Sequence, residues 1–557
     1  MKKLPIGREN LKDIIEGDFY YVDKTKIIED LLDRGAYVTL FPRPRRFGKS
    51  LMISTIDEFF NIEKKDANKN LFDGLYVSKS KYCDEQGKFP VIKLNFKSLQ
   101  SSNWDDMYGD IKEEIRQLFE SKRYVLDVLN EEEKALYYKF VSVKANFAEY
   151  KQSIKILSQF LSKYFNEKTI LLIDEYDVPI QKGYMQGFYE KIVDFIKSLF
   201  NNSLKANDNI KFAVMTGVLR VSKESIFSDL NNVDIYTIVD ATYEEYFGFN
   251  DEETKNILKY YNLELTDEVK KMYDGYIFGT QEIYNPWSIL NYANRKILHS
   301  YWVNTSGDEL LRDLFNKSKT NLSEMLEKLI LGESIHCKYN EKVTFLDLDL
   351  VRENSAKDLV ANFLLISGYL TKANKDEISP DGYLELRIPN NEVRTVYTEV
   401  ISNWMIDDAD LTNDELYNMK ENLLTGNIGE LEKTFNKALS HMSFYDETEG
   451  FYHGYMLGLF VIFLNRQYIV KSNREAGEGR FDIMIESVDR KYGIIVEFKI
   501  ARENEDIDLK AKSGKEQIYE KEYYKELELE KVQNIFTYGV AFQGKKCSVV
   551  WWNWYKH

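Results

Sequence analysis

Tyr37-Val38-Thr39-Leu40-Phe41-Pro42-Arg43-Pro44-Arg45-Arg46-Phe47-Gly48-Lys49-Ser50 is the stretch that decides the fold of the first part of this chain. Residues 37–41 form an apolar run rich in β-branched and aromatic side chains, the pattern of a buried strand. Pro42 and Pro44 end that run, and from Leu51 apolar residues recur at helical spacing through Ile53, Ile56, Phe59 and Phe60. A strand, a turn and a helix in this order give meaning to the closing Gly-Lys-Ser, because amides at a helix N-terminus bind phosphate through unsatisfied N–H groups and the helix dipole. In such a loop Arg46, Phe47 and Gly48 lie along the phosphates, Lys49 reaches the β- and γ-phosphates, and the Ser50 hydroxyl ligates magnesium. The first glycine of the usual pattern falls at Arg43, so the loop is entered through Arg and Pro.

Working outward, further buried-strand patterns lie at 91–96, 169–173 and 210–216, separated by amphipathic helical stretches. Strands alternating with helices predict an α/β architecture, a parallel sheet covered by helices on both faces, over residues 1–240. The run 169–173 ends in Asp174-Glu175. A carboxylate at a strand end beside a phosphate loop suits a magnesium shell, which points to Asp174. The adjacent Glu175 is then placed to polarise an attacking water. Residues 241–410 carry helical stretches, turn signals at Asp274-Gly275 and Asn285-Pro286, and a short strand pattern at 383–388; they read as a helical lid or coupling module.

Residues 411–557 form a third block: an apolar helix at 451–464, strands at 481–486, 493–500, 535–542 and 547–552, and a helix containing Gln517 between the second and third strands. Asp482 lies in the first strand, and Glu497 and Lys499 lie in the second. Side chains at i and i+2 of a strand share a face, so Glu497 and Lys499 project together, and a neighbouring Asp482 strand brings two carboxylates and an ammonium into one place. Phosphodiester cleavage needs such a set. The acids Asp482 and Glu497 hold magnesium or manganese through hard oxygen ligands, and Lys499 orients or deprotonates water.

With 557 residues the chain exceeds the roughly 250–300 at which a single core stops growing, so several domains are expected. A formal net charge of −16 gives no global attraction for a phosphate backbone, so any nucleic-acid contact must come from a local groove or a divalent cation. Cys83, Cys337 and Cys547 are too dispersed for a zinc cluster, and their scarcity fits a reducing compartment. The start, Met1-Lys2-Lys3-Leu4, lacks a signal peptide's apolar core. The apolar stretch 450–465 falls short of the ~20 residues that span a bilayer. A cytoplasmic protein with no membrane segment is expected.

Several blocks resemble the bacterial AAA-ATPase-like family: Tyr20-Tyr21-Val22-Asp23-Lys24-Thr25, the Arg-Pro-Arg-Arg-Phe-Gly-Lys-Ser loop, Thr216-Gly217-Val218 with Arg220, Tyr273-Asp274-Gly275-Tyr276, and Tyr301-Trp302-Val303-Asn304-Thr305-Ser306. The resemblance covers about the first 310 residues and implies a P-loop NTPase sheet that takes ATP; the arginine-rich loop entry is a habit of the family. Thr216 ends a strand beside that of Asp174, where a polar side chain can sense the γ-phosphate. Arg220 either stabilises charge on the phosphoryl group or pairs with an acid. The Asp482, Glu497 and Lys499 pattern, with Glu449-Gly450-Phe451, Gly479-Arg480-Phe481-Asp482 and Gln517-Ile518 with Tyr524, resembles the PD-(D/E)XK nuclease superfamily over about residues 430–550. That resemblance implies a C-terminal α/β, restriction-endonuclease-like domain, with Glu449 as an additional acid and Gln517 as a phosphate- or water-contacting residue. His453 is read as structural.

The expected function is therefore ATP binding and hydrolysis joined to metal-dependent, nucleotide-gated cleavage of nucleic acid, DNA before RNA. A signalling or scaffold ATPase whose nuclease-like module binds nucleic acid without cutting it is the alternative, and an inert nucleotide pocket beside an active nuclease is a third. A homo-oligomer is open, since ATPases of this fold class often place an arginine in a neighbour's site.

Overall fold

The structure is a computed structural model that describes residues 1–219, 232–302, 323–330, 332–340, 347, 356–375, 378–397, 411–440, 452, 456, 459–460, 467–476 and 479–554. The chain divides into two compact units, Met1–Thr305 with His336–Glu392, and Ser306–Ile335 with Val393–His557. The chain therefore passes from one unit to the other three times, after Thr305, Ile335 and Glu392. Three consecutive blocks were expected from the sequence; here most of the middle block belongs to the first unit. The physical reason is aromatic packing: Phe47 of the loop lies between Tyr276 and Phe278, each with ring centroids 5.0 Å away, so residues from the middle block complete the core around the loop.

The first unit is built on a parallel sheet of β1 (Val38–Pro42), β2 (Val91–Asn95), β3 (Thr169–Asp174), β4 (Ile210–Gly217) and β5 (Val233–Ile235), in the order β2-β3-β4-β1-β5. Every residue of β1 and β3 is buried. Alternate side chains point to opposite faces, so both faces are covered, as the unbroken apolar runs predict. Parallel strands put all their C-terminal ends on one edge, where ligands bind in open α/β sheets. That edge joins the loop after β1, the acids after β3 and the end of β4.

The sequence also sets the helix ends. Gly48 caps the helix Lys49–Phe60 at φ 88°, a left-handed conformation that costs glycine nothing. Asn146 and Glu149 form a reciprocal capping box at the start of the helix Phe147–Phe165, which satisfies two N–H groups left open by the first turn. An antiparallel pair follows, β6 (Tyr276–Phe278) with β7 (Gln281–Ile283), and a three-stranded sheet of β8 (Ile335–Lys338), β10 (Tyr383–Arg387) and β9 (Thr371–Lys372), in which β9 and β10 are antiparallel.

The second unit holds a mixed sheet of β11 (Tyr468–Ala476), β12 (Gly479–Ser487), β13 (Tyr492–Ile500), β14 (Asn534–Gln543) and β15 (Lys546–Trp554), ordered as in sequence. Only β13 and β14 run parallel, and the helices Ile507–Glu520 and Tyr524–Leu529 make the crossover that a parallel pair requires. Of the apolar helix expected at 451–464, Tyr452, Met456, Leu459 and Phe460 are described, helical and buried. Among the described residues no helix is long and apolar enough to cross a membrane.

Candidate functional site

In the first unit the loop after β1 folds over its own lysine. Lys49 is 3% exposed; its Nζ donates to the carbonyls of Arg43 and Pro44, each at 3.1 Å, and stands 3.7 Å from Glu175 Oε1. Asp174 is buried at the end of β3; its Oδ1 accepts from Thr216 Oγ1 at 2.6 Å, and Ser50 is a second hydrogen-bonding partner. Burial raises the Asp174 carboxyl above its ordinary range, helped by Glu175 and opposed by the two hydroxyls and Lys49. Glu175 itself sits at φ 54°, a left-handed conformation that costs energy for a residue bearing a Cβ, and its carboxylate stands near Lys49.

Arg43 resolves the missing glycine. Its guanidinium turns away from the loop: Nη1 donates to Pro42 O at 2.9 Å and Tyr236 O at 2.6 Å, and the group lies 4.9 Å over the Phe247 ring. The residue is fully buried, and burial pulls its pKa down. The Arg43 carbonyl instead accepts from Lys49 Nζ. Phe47 is likewise an anchor, buried against Tyr276 and Phe278, with its carbonyl accepting from Gly248 N at 3.1 Å. The Arg46 guanidinium lies 4.3 Å over the Trp287 ring.

In the second unit, β12 and β13 pair with Ile483 opposite Val496, so Asp482 stands beside the end of β13 and its Oδ2 accepts from Phe498 N at 2.6 Å. Glu497 is 2% exposed; its Oε1 accepts from Lys499 Nζ at 2.9 Å and from Gln517 Nε2. Burial pushes the Glu497 carboxyl up to about 7, reinforced by Asp482 and opposed by Lys499. Two glycines bring Gln517 there. A Cβ on Gly539 of β14 would stand 2.0 Å from the Ala511 carbonyl, and one on Gly514 would stand 3.2 Å from the Glu497 carbonyl, so bare backbone lets the helix Ile507–Glu520 settle onto β13 and β14. Gln517 Nε2 also reaches Tyr523 OH at 3.2 Å.

The donor sets fit divalent cations. Glu497 Oε2 is buried with no hydrogen-bond partner among the described residues, an orphaned oxygen beside a second carboxylate. Asp174 and Ser50 offer a carboxylate and a hydroxyl in contact, the pairing that magnesium takes in phosphate loops.

Residues 5–227 match the family model described as predicted AAA-ATPase, AAA-ATPase-like, and residues 447–552 match the PD-(D/E)XK nuclease superfamily. The two segments that match lie in the order AAA-ATPase-like, then PD-(D/E)XK nuclease superfamily. A protein of Azotobacter chroococcum mcd 1, described as an uncharacterized protein in the vnfD 5' region, is similar at 28% identity over 406 residues, 72% of this chain and 70% of that one. The two matches suggest ATPase and nuclease-type activity.

In the AAA-ATPase-like segment the structure brings Lys49, Ser50, Asp174, Glu175 and Thr216 together, while Arg46 and Phe47 face the aromatic wall; Arg220 lies outside the described residues. In the nuclease segment Asp482, Glu497, Lys499 and Gln517 converge, while Glu449 and His453 lie outside the described residues. Sequence reasoning missed three groups. Tyr523 places its hydroxyl within reach of Gln517 Nε2. Asp177 is buried and its Oδ2 accepts from Val218 N and Leu219 N, fixing the turn after β4. A cavity of about 370 Å³ opens beside Ser50 and Asp174 and is lined by Gly7, Arg8, Glu9, Asn10, Asp13, Lys93 and Asn95. The one signal for that last wall was Asn10, whose side chain caps the helix Leu11–Glu16.

Proposed function

We propose that the chain binds ATP with magnesium at the Lys49 loop, hydrolyses it, and cuts phosphodiester bonds of nucleic acid, DNA before RNA, at the Asp482, Glu497 and Lys499 cluster, with nucleotide state gating the cut. The observation that carries the reading is Glu497: a carboxylate 2% exposed, with one oxygen held by Lys499 and Gln517 and the other without a partner among the described residues. A structural ion pair gains by satisfying every buried oxygen, whereas a ligand keeps one in reserve.

At the nuclease cluster, Asp482 and Glu497 would hold the magnesium or manganese ion. When bound, it supplies positive charge to the phosphate as negative charge develops there. Lys499 points its ammonium along the same face and orients the attacking water, while Gln517 and Tyr523 keep the Glu497 carboxylate in one rotamer. At the loop, Lys49 meets the phosphates, Ser50 and Asp174 form the magnesium shell, Thr216 fixes Asp174, and Glu175 polarises the water.

The test is cleavage of DNA and RNA panels with magnesium or manganese, with and without ATP. Wild type should cut at least one substrate, and Asp482→Ala, Glu497→Ala and Lys499→Ala should each lose most of that activity. Equal rates for all three variants and wild type would remove the nuclease assignment.

A further inference from the structure

Glu392 lies in the first unit, 1% exposed, and among the described residues no ammonium or guanidinium pairs with it. Its Oε1 accepts from the backbone N–H groups of Tyr301 at 2.6 Å and Trp302 at 2.8 Å, and its Oε2 accepts from Ser288 Oγ at 2.7 Å. A lone buried carboxylate is expensive, and burial pushes this one up to about 7 despite three donors.

What those donors hold is the outer side of the phosphate loop. Trp302 Nε1 donates to Arg45 O at 3.3 Å. Trp287, next to Ser288, carries the Arg46 guanidinium 4.3 Å over its ring and donates its own Nε1 to Tyr301 O at 3.0 Å. Both tryptophans thus meet consecutive loop residues, and both are tied to one carboxylate. The loop needs an external brace. Arg46 sits at φ 70°, a conformation that disfavours side chains bearing a Cβ, and such residues keep it only where their surroundings over-determine it.

We propose that Glu392 is a positioning residue for the nucleotide loop: by holding Tyr301, Trp302 and Ser288 it sets the path of the Arg45–Arg46 backbone, and through it the phosphate contacts of Gly48 and Lys49. The inference rests on the nucleotide-binding reading of that loop. Glu392 does not touch the ligand. It acts where a loop built on glycine would rely on its own backbone.

Calorimetric titration of the full chain with ATP and magnesium tests it, at a temperature where every variant is folded by circular dichroism. Trp302→Phe, which keeps a ring and deletes one N–H, and Glu392→Ala should each weaken affinity about tenfold, the scale of one lost positioning contact. Trp302→Phe with Glu392→Ala should be no weaker than Glu392→Ala alone, because both act through the same carbonyl. Glu392→Gln retains an acceptor for both N–H groups and a donor for Ser288, and should stay within about threefold of wild type. Wild-type affinity in both Trp302→Phe and Glu392→Ala overturns the proposal, as do fully additive losses in the double variant. Should Glu392→Ala not fold, Trp302→Phe alone decides, and unchanged affinity there overturns the proposal. A wild-type chain that binds no ATP overturns the nucleotide reading and this inference with it, an outcome distinct from wild-type binding that is insensitive to both substitutions.

Discussion

Glu497→Gln removes the charge of the buried nuclease-site carboxylate while keeping its shape and an oxygen for Lys499 and Gln517. The wild-type carboxyl is pushed from 4.5 to about 7 by burial and by Asp482. A group whose folded pKa is raised adds stability below its unfolded value and loses it as pH rises through the folded value. In the absence of divalent cation, wild type and Glu497→Gln should therefore be equally stable near pH 4.5, and wild type should fall behind as pH climbs to 7 and beyond. The interval from 4.5 to about 7, at about 1.4 kcal/mol per pH unit, amounts to about 3 kcal/mol. For a unit of this size that is roughly 6–12 °C in the midpoint of its own calorimetric transition. Scanning calorimetry at pH 5, 6, 7 and 8 in chelator measures the difference, and manganese should restore wild type above pH 7 while leaving Glu497→Gln unmoved. A wild-type-minus-variant difference that stays flat from pH 5 to pH 8 would refute the reasoning, because Glu497 would then titrate as an ordinary exposed carboxylate.

Lys49→Ala should abolish ATP binding in calorimetry, whereas Glu175→Gln should keep binding and slow phosphate release, measured by turnover assay; equal affinity for Lys49→Ala and wild type removes the loop assignment. Arg43→Ala leaves a void in the wall beside Phe247 and should lower the melting temperature of the first unit, with a cost of about 2–4 kcal/mol, yet change ATP affinity less than Lys49→Ala does. Gly539→Val puts side-chain atoms where the Ala511 carbonyl stands, and should lift the helix that carries Gln517 and cut cleavage by at least tenfold with manganese affinity less affected; wild-type cleavage would show that Gln517 has no part in the reaction. Lys499→Ala should bind manganese as wild type does and lose most cleavage, a separation that isothermal titration and a gel assay resolve together.

The parts of the fold legible in the sequence are those buried on both sides. β1, β3 and β4 are continuous apolar runs because helices cover both faces, and the loop motif is contiguous, so Lys49 and Ser50 need no tertiary information. One edge strand of each sheet, β5 and β11, was not legible, whereas the opposite edges β2 and β15 were. β5 has three residues, and β11, at the margin of its sheet, is polar from Lys471 onward because it pairs on one side only. Bonding between Asp174 and Thr216 follows from strand order, which spacing does not encode. The place of Tyr523 beside Gln517 depends on Glu522 at φ 56°, a kink after the helix Ile507–Glu520 that sequence periodicity does not show.

The three passages of the chain between its units have a practical meaning for anyone wishing to separate the two units. A single proteolytic nick, or a fragment beginning at residue 393, does not deliver an intact second unit, because that unit also owns Ser306–Ile335, and removing the tail leaves that same strip attached to the first unit without its companions. Two modules strung in series can be exchanged by one genetic crossover. Two units whose segments alternate along the chain are not separated by one such crossover.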